Sequence, residues 1–195
     1  MKITMKLKEL TDIKIGLPLE RKKASITNSE NIRYRTLTLK AFSNSNSFAE
    51  LQSEVFIADV EIGTQYLTKE NDVIVRLRAP SSAIFINSKN TGLVVPSLMA
   101  IITNRYPNIL DSKYLAYYLN SQYIQNQLIK NSQGTSIPMT KRIDLLELEI
   151  SLLPLERQQK IVTYIETANQ EIDLLHKLIN EKNQLKTEIF ETLIK

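Results

Sequence analysis

The chain has 195 residues, 43% hydrophobic and 24% charged, with a net charge of +4 and no cysteine. That size suits one compact domain plus an extension. The composition excludes a disordered chain, and no apolar run nears the roughly 20 residues that a bilayer-spanning helix needs. Without cysteine there is neither a disulfide framework nor a thiolate metal site, which fits a cytoplasmic protein.

The placement of charge says more than its sum. Residues 1–153 carry 19 Lys/Arg against 14 Asp/Glu, and residues 154–195 carry 6 against 7. A basic front and a neutral tail favour a polyanion-facing domain joined to a protein-facing segment.

Lys2 to Leu10 alternates Ile3, Met5 and Leu7 and predicts an opening strand, followed by Thr11 to Ile15 and a turn at Gly16-Leu17-Pro18. Ile32 to Leu39 is rich in β-branched and aromatic residues. As a strand it puts Tyr34, Thr36 and Thr38 on one face and Arg33, Arg35, Leu37 and Leu39 on the other. Ser43 to Ser47 has the composition of an exposed loop, either an ordinary one or one whose short polar groups reach phosphates or base edges.

Further strands are expected at Glu54–Ile57, Val73–Arg78, Ala83–Ile86, Leu93–Val95 and Met99–Thr103. Strands so spaced predict a twisted antiparallel or mixed sheet. Asp111 or Ser112 caps a helix through Leu119, and Ser121 caps a second that ends near Gly134. Four tyrosines fall between Tyr114 and Tyr123, and their helical spacing favours packing over base stacking. Thr140 to Leu146 reads as a short helix capped by Thr140. Glu147 to Leu152 then forms a closing strand with Leu148, Ile150 and Leu152 inward.

From Pro154 to Lys195 the pattern is one amphipathic helix. Ile161, Ile165, Ala168, Ile172, Leu175, Ile179, Ile189 and Leu193 alternate by fours and threes, with Lys182 and Lys186 in the two vacant seam positions. Leu178 and Leu185 widen the contact face beside those lysines. At 1.5 Å per residue such a helix runs roughly 60 Å, beyond the width of the domain that precedes it, so a second helix of the same kind is expected to cover its stripe. The fold class is therefore α+β: a β-rich domain with short helices over residues 1–153, then one long coiled-coil helix over residues 154–195.

Chemistry is conspicuous by omission. His176 is the only histidine and falls beside the seam, where it serves as a rim packing residue. With four glycines and no glycine-rich loop, no nucleotide or methyl-donor fingerprint can be placed, and no carboxylate cluster suggests a metal-dependent nuclease. The chain is expected to be non-catalytic and to hold neither metal nor cofactor.

The run Gly134-Thr135-Ser136-Ile137-Pro138, then Ile143-Asp144-Leu145, Leu148-Glu149-Ile150 and Leu153-Pro154-Leu155-Glu156-Arg157-Gln158-Gln159-Lys160-Ile161 resembles the passage from target recognition domain to spacer helix in type I restriction-modification specificity subunits. Leu37-Thr38-Leu39-Lys40, Asn71-Asp72-Val73-Ile74-Val75 and Lys113 through Ser121 are similar to that family as well. Two departures stand out: one recognition domain and one spacer helix occur here where the family commonly has two of each, and Leu153 stands where it usually has proline. The resemblance is thus to a natural half-subunit or to an excised half of a longer one.

It implies a DNA reader on a helix that packs antiparallel against a second spacer helix, so that a homodimer reads a two-fold symmetric, interrupted site. It also implies docking to modification subunits that methylate adenine, with recruitment of a restriction subunit. The alternative is a coiled-coil interaction protein with no DNA role. Lys/Arg contacts to phosphate would supply affinity, and Arg, Lys, Asn or Gln at base edges specificity. The candidates are Arg33, Arg35, Asn44, Asn46, Arg76, Arg78, Lys89, Arg105, Lys141 and Arg142. Arg76 and Arg78 have a second reading, as solvated charges that keep a sheet edge from pairing. The dimerisation set is Ile161, Ile165, Ala168, Ile172, Leu175, Leu178, Ile179, Lys182, Leu185, Ile189 and Leu193.

Overall fold

A computed structural model describes residues 3–24, 32–42, 51–131 and 139–194, with the side chains of Arg21 and Asn131 excepted. In chain order the regular elements are β1 (Ile3–Lys6), α1 (Leu7–Leu10), β2 (Thr11–Ile15), β3 (Ile32–Leu37), β4 (Ser53–Ala58), β5 (Val73–Arg76), β6 (Ala83–Phe85), β7 (Met99–Asn104), α2 (Ser112–Leu119), α3 (Gln122–Asn131), α4 (Arg142–Leu146), β8 (Glu149–Leu152) and α5 (Leu155–Leu193). The α+β class holds, with the β-rich head preceding the long helix.

The strands do not form one sheet. A central antiparallel sheet runs β2-β7-β5-β6, while β1 pairs with β8 and β3 with β4 in separate two-stranded ribbons. Val73, Ile74 and Val75 are all buried, as are Ala83, Ile84 and Phe85, so β5 and β6 are apolar on both faces instead of alternating. α2 lies on β5 and β6. Its buried residues, Tyr114, Leu115, Ala116 and Leu119, join Ile124 and Leu128 of α3 in the main core. The β3–β4 ribbon covers a second, smaller core of Leu17, Phe56, Ala58, Ile62 and Val94.

Several local expectations are corrected. The opening strand stops at Lys6, because Leu7 and Leu10 are both fully buried and three residues apart, a spacing that one helical turn satisfies and a strand does not. Strand β5 ends at Arg76 instead of Arg78. Leu93–Val95 is not a strand of the sheet; Val94 makes isolated bridges to Thr36 and Leu67, and so ties the ribbon to the head. Thr140 does not cap α4. Its hydroxyl is buried 2.6 Å from that of Ser81, and the helix starts one residue later from Lys141, whose N–H donates to Asp144 at 2.7 Å.

Other expectations hold. Asp111 caps α2 by accepting from Tyr114 N at 2.9 Å. Leu148, Ile150 and Leu152 are buried while Glu147 and Glu149 are exposed. Tyr114 is buried and Tyr117 and Tyr118 half-buried, so three of the four tyrosines pack, and Tyr123 faces solvent. Gly16 sits where a Cβ would collide with the carbonyl oxygens of Val95 and Pro96, so glycine lets the chain after β2 lie against that segment.

Candidate nucleic-acid interface

In the β3–β4 ribbon Arg33 lies opposite Ile57 and Arg35 opposite Val55, while Tyr34 faces Phe56 on the other side. The inner side is tied down: Tyr34 Oη accepts from Ile62 N at 3.0 Å, and Thr36 Oγ1 donates to Val94 O at 3.1 Å. Alternation then obliges Arg33, Arg35 and Val55 to face out, and all three are exposed. Arg35 Nε donates to Ser53 Oγ at 2.9 Å, which orients its guanidinium without neutralising it.

A second basic group gathers where β5 ends. Arg78 forms an antiparallel bridge with Met139, and Thr140 N donates to Leu77 O at 2.8 Å, which brings Lys141 and Arg142 beside Arg76 and Arg78. Arg76 Nε is buried without a hydrogen-bond partner among the described residues. Arg142 is partly committed, since its Nε donates to Ile13 O at 2.8 Å and fastens α4 to β2.

Two candidates lie apart from these groups. Lys89 belongs to the turn Ser88–Asn90, beyond β6 at the end of the sheet where β5 begins, opposite Arg76. Arg105 sits 5.7 Å from the ring centre of its neighbour Tyr106 and spends its guanidinium on Lys8 O at 2.7 Å and on Asp12 at 3.9 Å, two contacts that fix the α1–β2 region to the end of β7. Asn44 and Asn46, the Ser43–Ser47 loop and the Gly134–Pro138 motif lie outside the described residues.

Helix α5 has two faces. Gln158 and Val162 are buried in the head, and α2 packs along the first turns. Lys113 Nζ is 2.7 Å from Glu166 Oε1, and Tyr117 shares a hydrogen bond with Asn169. Ile161 is half-buried against the head's core, and Ile165 and Ala168 are half-buried too. Beyond them Ile172, Leu175, Leu178, Ile179, Leu185, Ile189 and Leu193 are 43 to 79% exposed, and Lys182 is exposed among them. The head-facing set Gln158, Val162, Glu166 and Asn169 went unmarked in the sequence. Its signal was there, in a second recurrence by fours and threes out of phase with the seam, but all of its members except Val162 are charged or amide residues that look solvent-facing.

Among the described residues no cluster of three or more His, Cys, Asp or Glu side chains is placed to hold a metal, and no helix is long and apolar enough to cross a membrane.

The family model described as "Type I restriction modification DNA specificity domain" matches residues 2–184. No curated protein matches the chain. Among solved structures, the HsdS subunit from Thermoanaerobacter tengcongensis superposes with a TM-score of 0.60 at 21% identity, covering 91% of this chain and 39% of that one. A chain from a study of complex assembly and conformational transition in the type I R-M system gives 0.63 at 20% identity, covering 93% and 41%. The S subunit of the type I restriction-modification system from M. genitalium gives 0.58 at 20%, covering 96% and 44%. The chain thus spans about two fifths of the length of these structures, and at such identities the likeness is one of fold. With the family model covering nearly its whole length, one recognition domain followed by one long helix, the chain belongs to the type I restriction-modification DNA specificity family.

Proposed function

We propose that residues 1–153 read one half of an interrupted DNA site and that residues 154–195 are the spacer that pairs antiparallel with a second copy. A two-fold symmetric target follows, with the gap set by the paired helices. The observation that carries this reading is the apolar stripe of α5, at least 43% exposed at each aliphatic seam position from Ile172 to Leu193, on a chain whose family is defined by DNA specificity. A stripe of that length left in water is what a partner helix of equal length would cover.

Arg33 and Arg35 on the ribbon, and Arg76, Arg78 and Lys141 at the end of β5, are the best placed for phosphate and base contacts. A two-stranded ribbon fits the width of a B-form major groove. Lys89, apart from both groups, and Arg105 and Arg142, which backbone carbonyls already engage, are weaker candidates; Asn44 and Asn46 remain candidates on the sequence alone. The chain itself carries no chemistry in this reading: methylation of adenine belongs to modification subunits docked on it, and cleavage to a restriction subunit.

A salt titration on mixed-sequence duplex tests the reader. Binding should weaken steeply as salt rises, about 0.9 in log affinity per log salt for each phosphate neutralised. A head that ignores duplex at low salt, with its modification subunits supplied, would favour the interaction protein instead. Light scattering should give twice the chain mass, and maps of methylated adenines in cells carrying the intact system should show a symmetric, interrupted site.

A further inference from the structure

Gln158 lies in the first turn of α5 and is wholly buried. Its Oε1 accepts from Asp111 N at 2.9 Å, and its Nε2 donates to Ile109 O and Leu153 O, both at 2.8 Å. One primary amide therefore uses both donors and one acceptor position to join three segments: the loop ahead of α2, the residue following β8, and α5 itself. Asp111 is also the cap of α2, and further along α2 Lys113 and Tyr117 reach Glu166 and Asn169.

Apolar burial is itself non-directional, and interdigitated side chains restrict the angle of a helix on the head only to within about 15–20°. A buried amide with three fixed partners is directional. Tilting α5 about its base would leave a buried N–H or C=O unpaired, and each such group would bear its full desolvation penalty. The surface pair Lys113–Glu166, about one third exposed on both sides, adds direction but little energy.

We propose that Gln158 is a positioning residue that fixes the direction of α5 relative to the head, and through it the gap length that two paired chains accept. The first half stands on the geometry above, and the second rests on the reading given under Proposed function. The two halves have separate readouts. The chain contains no cysteine, so cysteines introduced at Glu70 and Glu181, exposed on the head and on the far helix, take spin labels cleanly.

With labelled chain diluted in unlabelled chain, the wild-type background should give one narrow distance distribution. Gln158→Met, equal in length and without hydrogen bonds, should broaden it about twofold at unchanged helix content. A Gln158→Met distribution as narrow as wild type, with or without a loss of thermal stability, overturns the proposal. If that variant does not fold, Gln158→Asn, whose amide falls one methylene short of its partners, takes its place with the same expectation.

The second readout is binding to duplexes that differ only in gap length. Gln158→Met should lose about tenfold of the wild-type preference for one gap, the equivalent of about 1.4 kcal/mol. Broadened labels with an unchanged gap preference would overturn the link to spacing. A wild-type chain that binds no duplex would overturn that link and the DNA-reading proposal together, and the label distances alone would then decide whether Gln158 fixes the joint.

Discussion

At the scale of single residues, the head holds a buried carboxylate whose protonation matters. Asp72 is 2% exposed, accepts from Thr103 Oγ1 at 2.7 Å and from Lys69 N at 2.9 Å, and closes the turn before β5 in which Asn71 takes a positive φ of 69°. Burial pushes its pKa above the usual 3.8, against the pull of those two hydrogen bonds and of Lys69 and Lys14. A carboxyl that holds its proton more tightly when folded contributes stability that is full below 3.8 and lost as pH rises through the folded value. Asp72→Asn should therefore flatten the pH dependence of urea unfolding above that point and change neutral stability by no more than about 1 kcal/mol, while Asp72→Ala, which strands the Lys69 N–H, should cost about 1–3 kcal/mol. Glu147 behaves oppositely. The Lys6 and Lys8 ammonium groups, at 2.6 and 2.7 Å, hold its pKa down to about 2, so what it contributes is present above 4.5 and lost as pH falls through about 2. A carboxyl carbon titration by NMR should give that midpoint, and Glu147→Gln should barely move the melting temperature because the three side chains are solvent-screened. Arg33→Ala and Arg35→Ala should each weaken binding to the target; about 1–3 kcal/mol lost on one sequence only marks a base contact, and a uniform loss with a smaller salt slope marks a phosphate contact.

At the scale of elements, α5 divides into a base that belongs to the head and a free length that does not. Val162 is part of the main core and Ile161 packs against it, whereas all residues from Glu171 to Ile194 are exposed. In the proposed dimer the seam residues nearest the head would serve two neighbours, and the pairing surface proper would begin at Ile172. Replacing Ile172 and Ile179 with aspartate should leave the head's circular dichroism and unfolding midpoint unchanged. In sedimentation it should raise the dissociation constant of the dimer at least about hundredfold, since each buried isoleucine contributes about 1.5–3 kcal/mol. The lysines at 182 and 186 lie within that stripe, and Lys182→Leu with Lys186→Leu should tighten association while loosening register, visible as mixed antiparallel alignments in label distances.

For the whole molecule, the arrangement is a basic head on a slightly acidic strut of 39 residues, about 58 Å long. The strut, its seam and its start after Pro154 were legible from the sequence, because a helical period sustained over that length is a local property that no tertiary contact has to complete. The inward and outward faces of β8 and the cap of α2 were legible for the same reason, the first from alternation and the second from one Asp at a fixed offset. The family, too, was evident in the sequence at the passage around Leu153 to Ile161. What the sequence withheld was everything that depends on residues far apart in the chain. It did not show that the eight described strands divide into three sheets, that Leu7–Leu10 coil into a turn because two leucines must reach one core, or that Thr140 turns inward to Ser81. It could not separate the basic residues that remain available, such as Arg33 and Arg35, from Arg105 and Arg142, whose guanidinium groups hold Lys8 O and Ile13 O across 97 and 129 residues. Nor did it show that Gln158, which lies in that same passage, is buried, which is explicable only once Asp111 N, Ile109 O and Leu153 O are seen to converge on it. Periodicity along a chain reports which face of an element is apolar, but which distant partner meets that face, and which charge or amide is consumed in the meeting, is fixed by three-dimensional packing alone.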